Sequence, residues 1–128
     1  MTTNRSTETV AIIGASDKEG RYAKRAQELL IEKGHHVIPI NPVKTSVGGI
    51  DAYASLSDVP ADRHIDTVTL YVRPEILERH LPSILDRAVK RVIFNPGTES
   101  ELQQAELEQA GIHCEQACTL VLLRTGQF

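Results

Sequence analysis

Short, unbroken apolar runs recur along this chain, and each stops abruptly at a glycine or at a turn containing proline. Val10-Ala11-Ile12-Ile13 ends at Gly14, and Val37-Ile38-Pro39-Ile40 ends at Asn41-Pro42. The β-rich stretch 67–72 ends at Arg73-Pro74, and Val92-Ile93-Phe94 ends at Asn95-Pro96-Gly97. A fifth candidate, 112–118, ends in Thr119-Leu120-Val121. Runs of this length without polar alternation are what strands buried on both faces require. The gaps between them carry helical spacing. Ala23, Ala26, Leu29 and Leu30 share one face before a stop at Gly34. Ile76, Leu77, His80, Leu81, Ile84, Leu85 and Ala88 share another, with Pro74 suited to the first turn and Pro82 expected to kink the helix. A third helix is expected to open on a Thr98-to-Glu101 capping box, run through Leu102 and Ala105, and stop at Gly111. The link 42–66 breaks the rhythm: Gly48-Gly49 and Pro60 predict loop with one short helix.

Alternation of strand and helix with short links predicts an α/β fold. It is a single doubly wound domain with a five-stranded, mainly parallel sheet and helices on both faces. At 128 residues one domain with a real core fits and two do not. Residues 1–8 are polar and lack the apolar run of a signal peptide, so they read as a flexible tail of a cytoplasmic protein, with the domain at 9–128. No stretch approaches the ~20 apolar residues that span a bilayer. A net charge of −3 with 4% aromatic residues argues against a general nucleic-acid binder, which needs basic patches and stacking rings.

In a doubly wound sheet the ligand crevice lies beyond the carboxyl ends of the strands, where strand order reverses. The turns after the apolar runs are therefore the places to look for chemistry. After the first run come Gly14, Ala15 and Ser16, then Lys18, Arg21 and Tyr22. Small residues there let backbone approach a bulky anion, the next helix aims its free amides at it, and the two cations add charge. The full G-x-G-x-x-G pattern is missing, and a tight turn with solvated charges fits these residues equally well. Asp17 opposes anion binding unless it points away, for instance as a helix cap. At the end of the second run, where an NAD site places a carboxylate on the ribose, stand Asn41 and Pro42, with Lys44 beyond and no carboxylate before Asp51. That favours a phosphorylated ribose over NAD; taken singly, Asn41-Pro42 is also a plain turn and Lys44 a solvated charge.

Together Gly14-Ala15-Ser16-Asp17, Arg21-Tyr22, Val37-Ile38-Pro39-Ile40-Asn41-Pro42, Tyr71-Val72-Arg73-Pro74, Asn95-Pro96-Gly97-Thr98-Glu99 and Ala117-Cys118-Thr119 resemble the small stand-alone CoA-binding proteins. That family is similar to the N-terminal CoA-binding domain of the succinyl-CoA synthetase α subunit. The resemblance runs from about Val10 to the C-terminus. It implies a Rossmann-type domain that takes coenzyme A as its cofactor. The Gly14 loop, with Ala15, Ser16, Lys18, Arg21 and Tyr22, would cradle the pyrophosphate and the start of the pantetheine arm. Asn41, Pro42 and Lys44 would lie near the ribose, and Val72, Arg73 and Pro74 would border the adenine. Asn95, Pro96, Gly97 and Cys118 would face the pantetheine end. The synthetase's second domain, with its phosphorylated histidine, has no counterpart here, so its ligation reaction is not carried over.

Other groups read blandly. Cys114 and Cys118 would stand ~13 Å apart in an extended strand, beyond disulfide reach. They read as inert thiols, with a mixed disulfide between Cys118 and the coenzyme A thiol as the alternative. The five histidines form no standard metal spacing and pair with no recognisable nucleophile. The expectation is a non-catalytic module that binds or senses coenzyme A or an acyl-CoA, with a second copy or another protein as partner. The rivals are an NAD(P)-binding regulatory domain and a small acyl-CoA or redox enzyme completed by a partner subunit.

Overall fold

The structure, a computed structural model, describes residues 7–128; most of the expected tail, residues 1–6, lies outside the described residues. Five parallel strands form the main sheet: β1 (Thr9–Ile13), β2 (His36–Ile40), β5 (Thr67–Leu70), β6 (Arg91–Phe94) and β7 (His113–Gln116). Their order is β2-β1-β5-β6-β7. All four pairings are parallel, which the long helical crossovers enforce. The order reverses between β1 and β5, so the crevice opens at their carboxyl ends.

The strands alternate sides within two separate cores. Val10 and Ile12 pack with Ala23, Leu30 and Leu123, so α1 (Tyr22–Glu32) and α4 (Thr119–Arg124) cover one face. Ala11, Ile13, Val68 and Phe94 pack with Leu77, Leu81, Ile84 and Leu107, so α2 (Pro74–Asp86) and α3 (Glu101–Gln109) cover the other. Burial on both faces is why the central strands read as unbroken apolar runs. The edge strand β7 buries Cys114 but leaves His113 and Gln116 exposed.

Four local expectations are corrected. The stretch 119–121 is not a strand end but the start of α4, whose buried Leu120 and Leu123 lie one helical turn apart. The expected capping box at Thr98 does not form. Ser100 is the N-cap, with its hydroxyl accepting from Gln103 N, while Thr98 donates to the Asn95 carbonyl at 2.8 Å. Helix α3 therefore buries Gln103 and Leu107, and Leu102 is left 84% exposed. On α1, Leu29 is only half-buried and Gln27 takes a core position instead. The link 42–66 holds a two-stranded hairpin, β3 (Ser46–Val47) with β4 (Ile50–Asp51), turning at Gly48-Gly49, and then a 3-10 turn at Leu56–Asp58. Helix α2 continues across Pro82. Glu8 anchors the entry to β1: its amide donates to His35 Nδ1 at 3.1 Å, and its carboxylate accepts from Thr67 Oγ1 at 2.6 Å and pairs with Arg91.

Candidate functional site

The reversal point is built around Gly14. Its φ is +93°, and a Cβ there would stand 2.7 Å from the Tyr71 carbonyl oxygen and 2.9 Å from Val72 Cγ1. The glycine therefore permits close packing of the turn after β1 against the turn after β5. Beside it, Asn41 at the end of β2 ties its side-chain amide to the scaffold. Its Nδ2 donates to the Ala15 carbonyl at 3.0 Å, and its Oδ1 accepts from the amides of Val43 and Lys44, each at 2.9 Å.

A cavity of about 480 Å3 lies over this turn, lined by Gly14, Ser16, Lys18, Gly20, Arg21, Tyr22, Ala23, Asn41 and Tyr71. Helix α1 begins at its edge with Arg21 as N-cap, and no side chain caps it. Lys24 N donates to the Arg21 carbonyl at 3.1 Å, which leaves the amides of Tyr22 and Ala23 to solvent or to an anion. Among the described residues no carboxylate pairs with Lys18 or Arg21, whereas Lys24 is held by Glu19 and Glu28 at 3.1 and 2.8 Å. The cations at the cavity are thus the uncommitted ones. Asp17 does not cap α1; it turns outward to Lys44 Nζ at 2.8 Å and to the Gly48 amide at 3.3 Å.

A second cavity of about 250 Å3 adjoins the first across Tyr22 and Tyr71, lined further by Asn95, Pro96, Cys118 and Leu120. Its wall is mainly apolar. Tyr22 is 64% exposed at the mouth, with the Arg25 guanidinium 5.5 Å from its ring centroid. Tyr71 is half-buried, and burial pushes its phenol up to about 12 against the opposing effect of the Thr119 and Thr69 hydroxyls beside it, so it stays protonated.

A buried polar network fixes the inner wall. Asn95 Nδ2 donates to Thr69 Oγ1 at 2.7 Å and to the Leu70 carbonyl at 2.8 Å, while its Oδ1 accepts from Thr119 N at 2.9 Å. The Thr69 and Thr119 hydroxyls lie 2.7 Å apart. Asn95 thus ties the start of α4, and with it Cys118, to the end of β5. Its amide is consumed and is not a free ligand contact.

Of the residues expected at the site, Gly14, Ser16, Lys18, Arg21, Tyr22, Asn41, Asn95, Pro96 and Cys118 line these two cavities. Ala15, Pro42, Lys44, Val72, Arg73, Pro74 and Gly97 line neither. Ala15 is buried behind the turn, and Lys44 is held by Asp17, itself on a separate small cavity. Arg73 caps the start of α2, whose Pro74 carbonyl accepts from Gln103 Nε2 at 2.9 Å. The sequence reading passed over Gly20, Ala23, Tyr71 and Leu120. Tyr71 sits in the turn after the third apolar run, where the strand-end rule already pointed. Leu120 was hidden by the strand assignment to 119–121.

Both cysteines are free. Burial pushes the Cys114 thiol up to about 11, whereas Cys118 is half-buried on the cavity wall. No described helix is long and apolar enough to cross a membrane.

Comparison with known proteins bears on this geometry. The family model of the CoA binding domain matches residues 8–124. An acetate–CoA ligase (ADP-forming) of Methanocaldococcus jannaschii is 32% identical over 100 residues, 78% of this chain. The match takes in 14% of that ligase. YneT, an uncharacterized protein of Bacillus subtilis, is 31% identical over 68 residues, covering 53% of this chain and 49% of its own. The crystal structure of a further uncharacterized protein superposes with a TM-score of 0.88 at 38% identity, over 97% of this chain and 100% of the other. The chain thus spans less than half of either curated relative, while its fold matches one solved protein end to end. With the family model covering nearly all of the described residues, this chain belongs to the CoA-binding domain family.

Proposed function

We propose that this protein binds coenzyme A or an acyl-CoA in the cytoplasm as a non-catalytic binding or sensing module. The observation that carries the reading is the pair of adjoining cavities, which differ in chemistry in the order the ligand demands. The outer one offers Ser16, Lys18, Arg21 and the first-turn amides of α1 to a pyrophosphate. The inner one offers Tyr71, Leu120 and Cys118 to an uncharged arm ending in a thiol. Asn41, Pro42 and Lys44 flank the ribose, and Val72, Arg73 and Pro74 the adenine. The end of β2 supplies no carboxylate for a ribose 2′-hydroxyl, and Asn41 has no free acceptor to replace one, which weighs against NAD.

Thermal stabilisation tests this directly. Coenzyme A at 100 times its dissociation constant should add ~2.7 kcal/mol of stability, and NAD should add none. Stabilisation by NAD and not by coenzyme A would refute the reading. A second reading draws on Cys118 in the wall of the inner cavity: thiol–disulfide exchange between Cys118 and a disulfide of coenzyme A, with one coenzyme A thiol released. Mass spectrometry after incubation with that disulfide decides it. An adduct on Cys118 supports the exchange, and an unmodified Cys118 removes it.

A further inference from the structure

Lys44, just beyond the end of β2, already has a tight anionic partner. Its Nζ lies 2.8 Å from Asp17 Oδ1, and the second oxygen of Asp17 accepts from the Gly48 amide at 3.3 Å. Neither side chain lines the outer cavity; Asp17 lines a smaller one of about 80 Å3 that shares Ser16 with it. Lys44 donates its own amide to Asn41, which lines the outer cavity. The Lys44 and Asp17 side chains are 47% and 32% exposed, so the contact is open to solvent. Hydrogen bonds from Lys44 and Gly48 hold the Asp17 carboxyl below its ordinary value, so it is charged at neutral pH.

We infer that Asp17 restrains the contact between Lys44 and the ligand: it competes for the ammonium, so that a ribose phosphomonoester draws Lys44 away at a cost in affinity that a hydroxyl or a phosphodiester, which leaves the pair intact, does not meet. The inference rests on the coenzyme A reading. A carboxylate carries one negative charge. A phosphomonoester carries about −1.5 to −2 at pH 7 with three acceptor oxygens, so it outbids the carboxylate. A diester carries one charge and gains nothing by exchange, and a hydroxyl carries none. Because Asp17 stays tethered to the Gly48 amide, its charge persists beside the incoming phosphate and trims the affinity.

The test is calorimetric titration of the full chain with coenzyme A and with 3′-dephospho-coenzyme A. Asp17→Asn should tighten coenzyme A about two- to fivefold, the range of an exposed ion pair, and leave the dephospho form within about twofold. In a Lys44→Met background the same change should alter neither ligand beyond about twofold, and Lys44→Met alone should abolish the preference for the phosphorylated form. The Asp17→Asn gain should shrink at high salt. If Asp17→Asn weakens both ligands equally, Asp17 is only a brace for the hairpin and the inference is overturned; an unchanged ratio overturns it as well. If the unaltered protein binds neither ligand, the coenzyme A reading itself falls, and the inference with it.

Discussion

Replacing Asn95 with alanine isolates the element that holds the two cavities in register. The side chain is 2% exposed and makes three hydrogen bonds, to Thr69 Oγ1, to the Leu70 carbonyl and from Thr119 N. Alanine takes away all three. The Thr69 hydroxyl keeps Thr119 Oγ1 at 2.7 Å, but the Leu70 carbonyl and the Thr119 amide are left facing a small void. Each buried polar group deprived of a partner costs ~1–3 kcal/mol, so the two together cost about 2–6 kcal/mol. At ~2.1 cal/mol/K per residue, a chain of 128 residues has an unfolding entropy of roughly 0.27 kcal/mol/K, so each kcal/mol moves Tm by about 4 °C. The expected fall in Tm is therefore about 7–22 °C, with a matching loss in urea midpoint at unchanged slope. Thermal and urea unfolding followed by circular dichroism measure both. A loss below about 1 kcal/mol would mean that water takes over the orphaned groups, and the claim that this amide fixes the start of α4 would be wrong. Thr69→Val, which leaves the Leu70 and Thr119 backbone bonds intact, should cost clearly less.

Three other outcomes follow from the same geometry. Gly14→Ala should cost at least about 3 kcal/mol from left-handed strain plus overpacking against Tyr71; Gly20→Ala, at a φ of +87° with open space around it, should cost about 1 kcal/mol. Unfolding free energies of the two variants check this, and equal losses would dismiss the close packing at Gly14. At pH 8 a thiol reagent should modify Cys118 first. Cys114, with its thiol pushed up to about 11, holds only about one part in a thousand as thiolate and should react on unfolding. Peptide mapping of the labelled protein reads the order, and faster labelling of Cys114 would contradict it. Burial holds both His35 and His80 below their ordinary value, so the folded state binds fewer protons than the unfolded state between each lowered pKa and about 6.5. Stability should therefore decline as pH falls through that window, and the decline should flatten in His35→Asn and His80→Leu variants. Urea unfolding from pH 7.5 to 5 measures it; a profile identical to that of the unaltered protein would dismiss the assignment.

The central strands were legible because burial on both faces demands an unbroken apolar run, and runs such as Val10 to Ile13 and Val92 to Phe94 are each closed by a glycine or proline turn. Their carboxyl ends then located the crevice without any knowledge of the ligand. What stayed hidden was hidden for physical reasons. Thr119-Leu120-Val121 is too short and too apolar for periodicity to separate helix from strand. Thr98 and Ser100 both offer a cap, and the choice fell to Ser100 because Thr98 is drawn to the Asn95 carbonyl. The largest shift of meaning concerns polar residues. Asn41 and Asn95 stand where a ligand contact was expected, yet their amides are committed to the backbone, and Lys44 is committed to Asp17. Sequence position told where these side chains are, but not what they spend their hydrogen bonds on.

Amide chemical-shift mapping of labelled protein during titration with coenzyme A puts the whole account to its most direct test. The perturbed amides should fall in 14–23, at 41 and 43–44, at 71–73 and at 118–120, along the carboxyl ends of the strands from the start of α1 to the start of α4. Perturbations gathered instead at the opposite end of the sheet, around His36, Asp66, Arg91 and His113, or none at saturating coenzyme A, would contradict it.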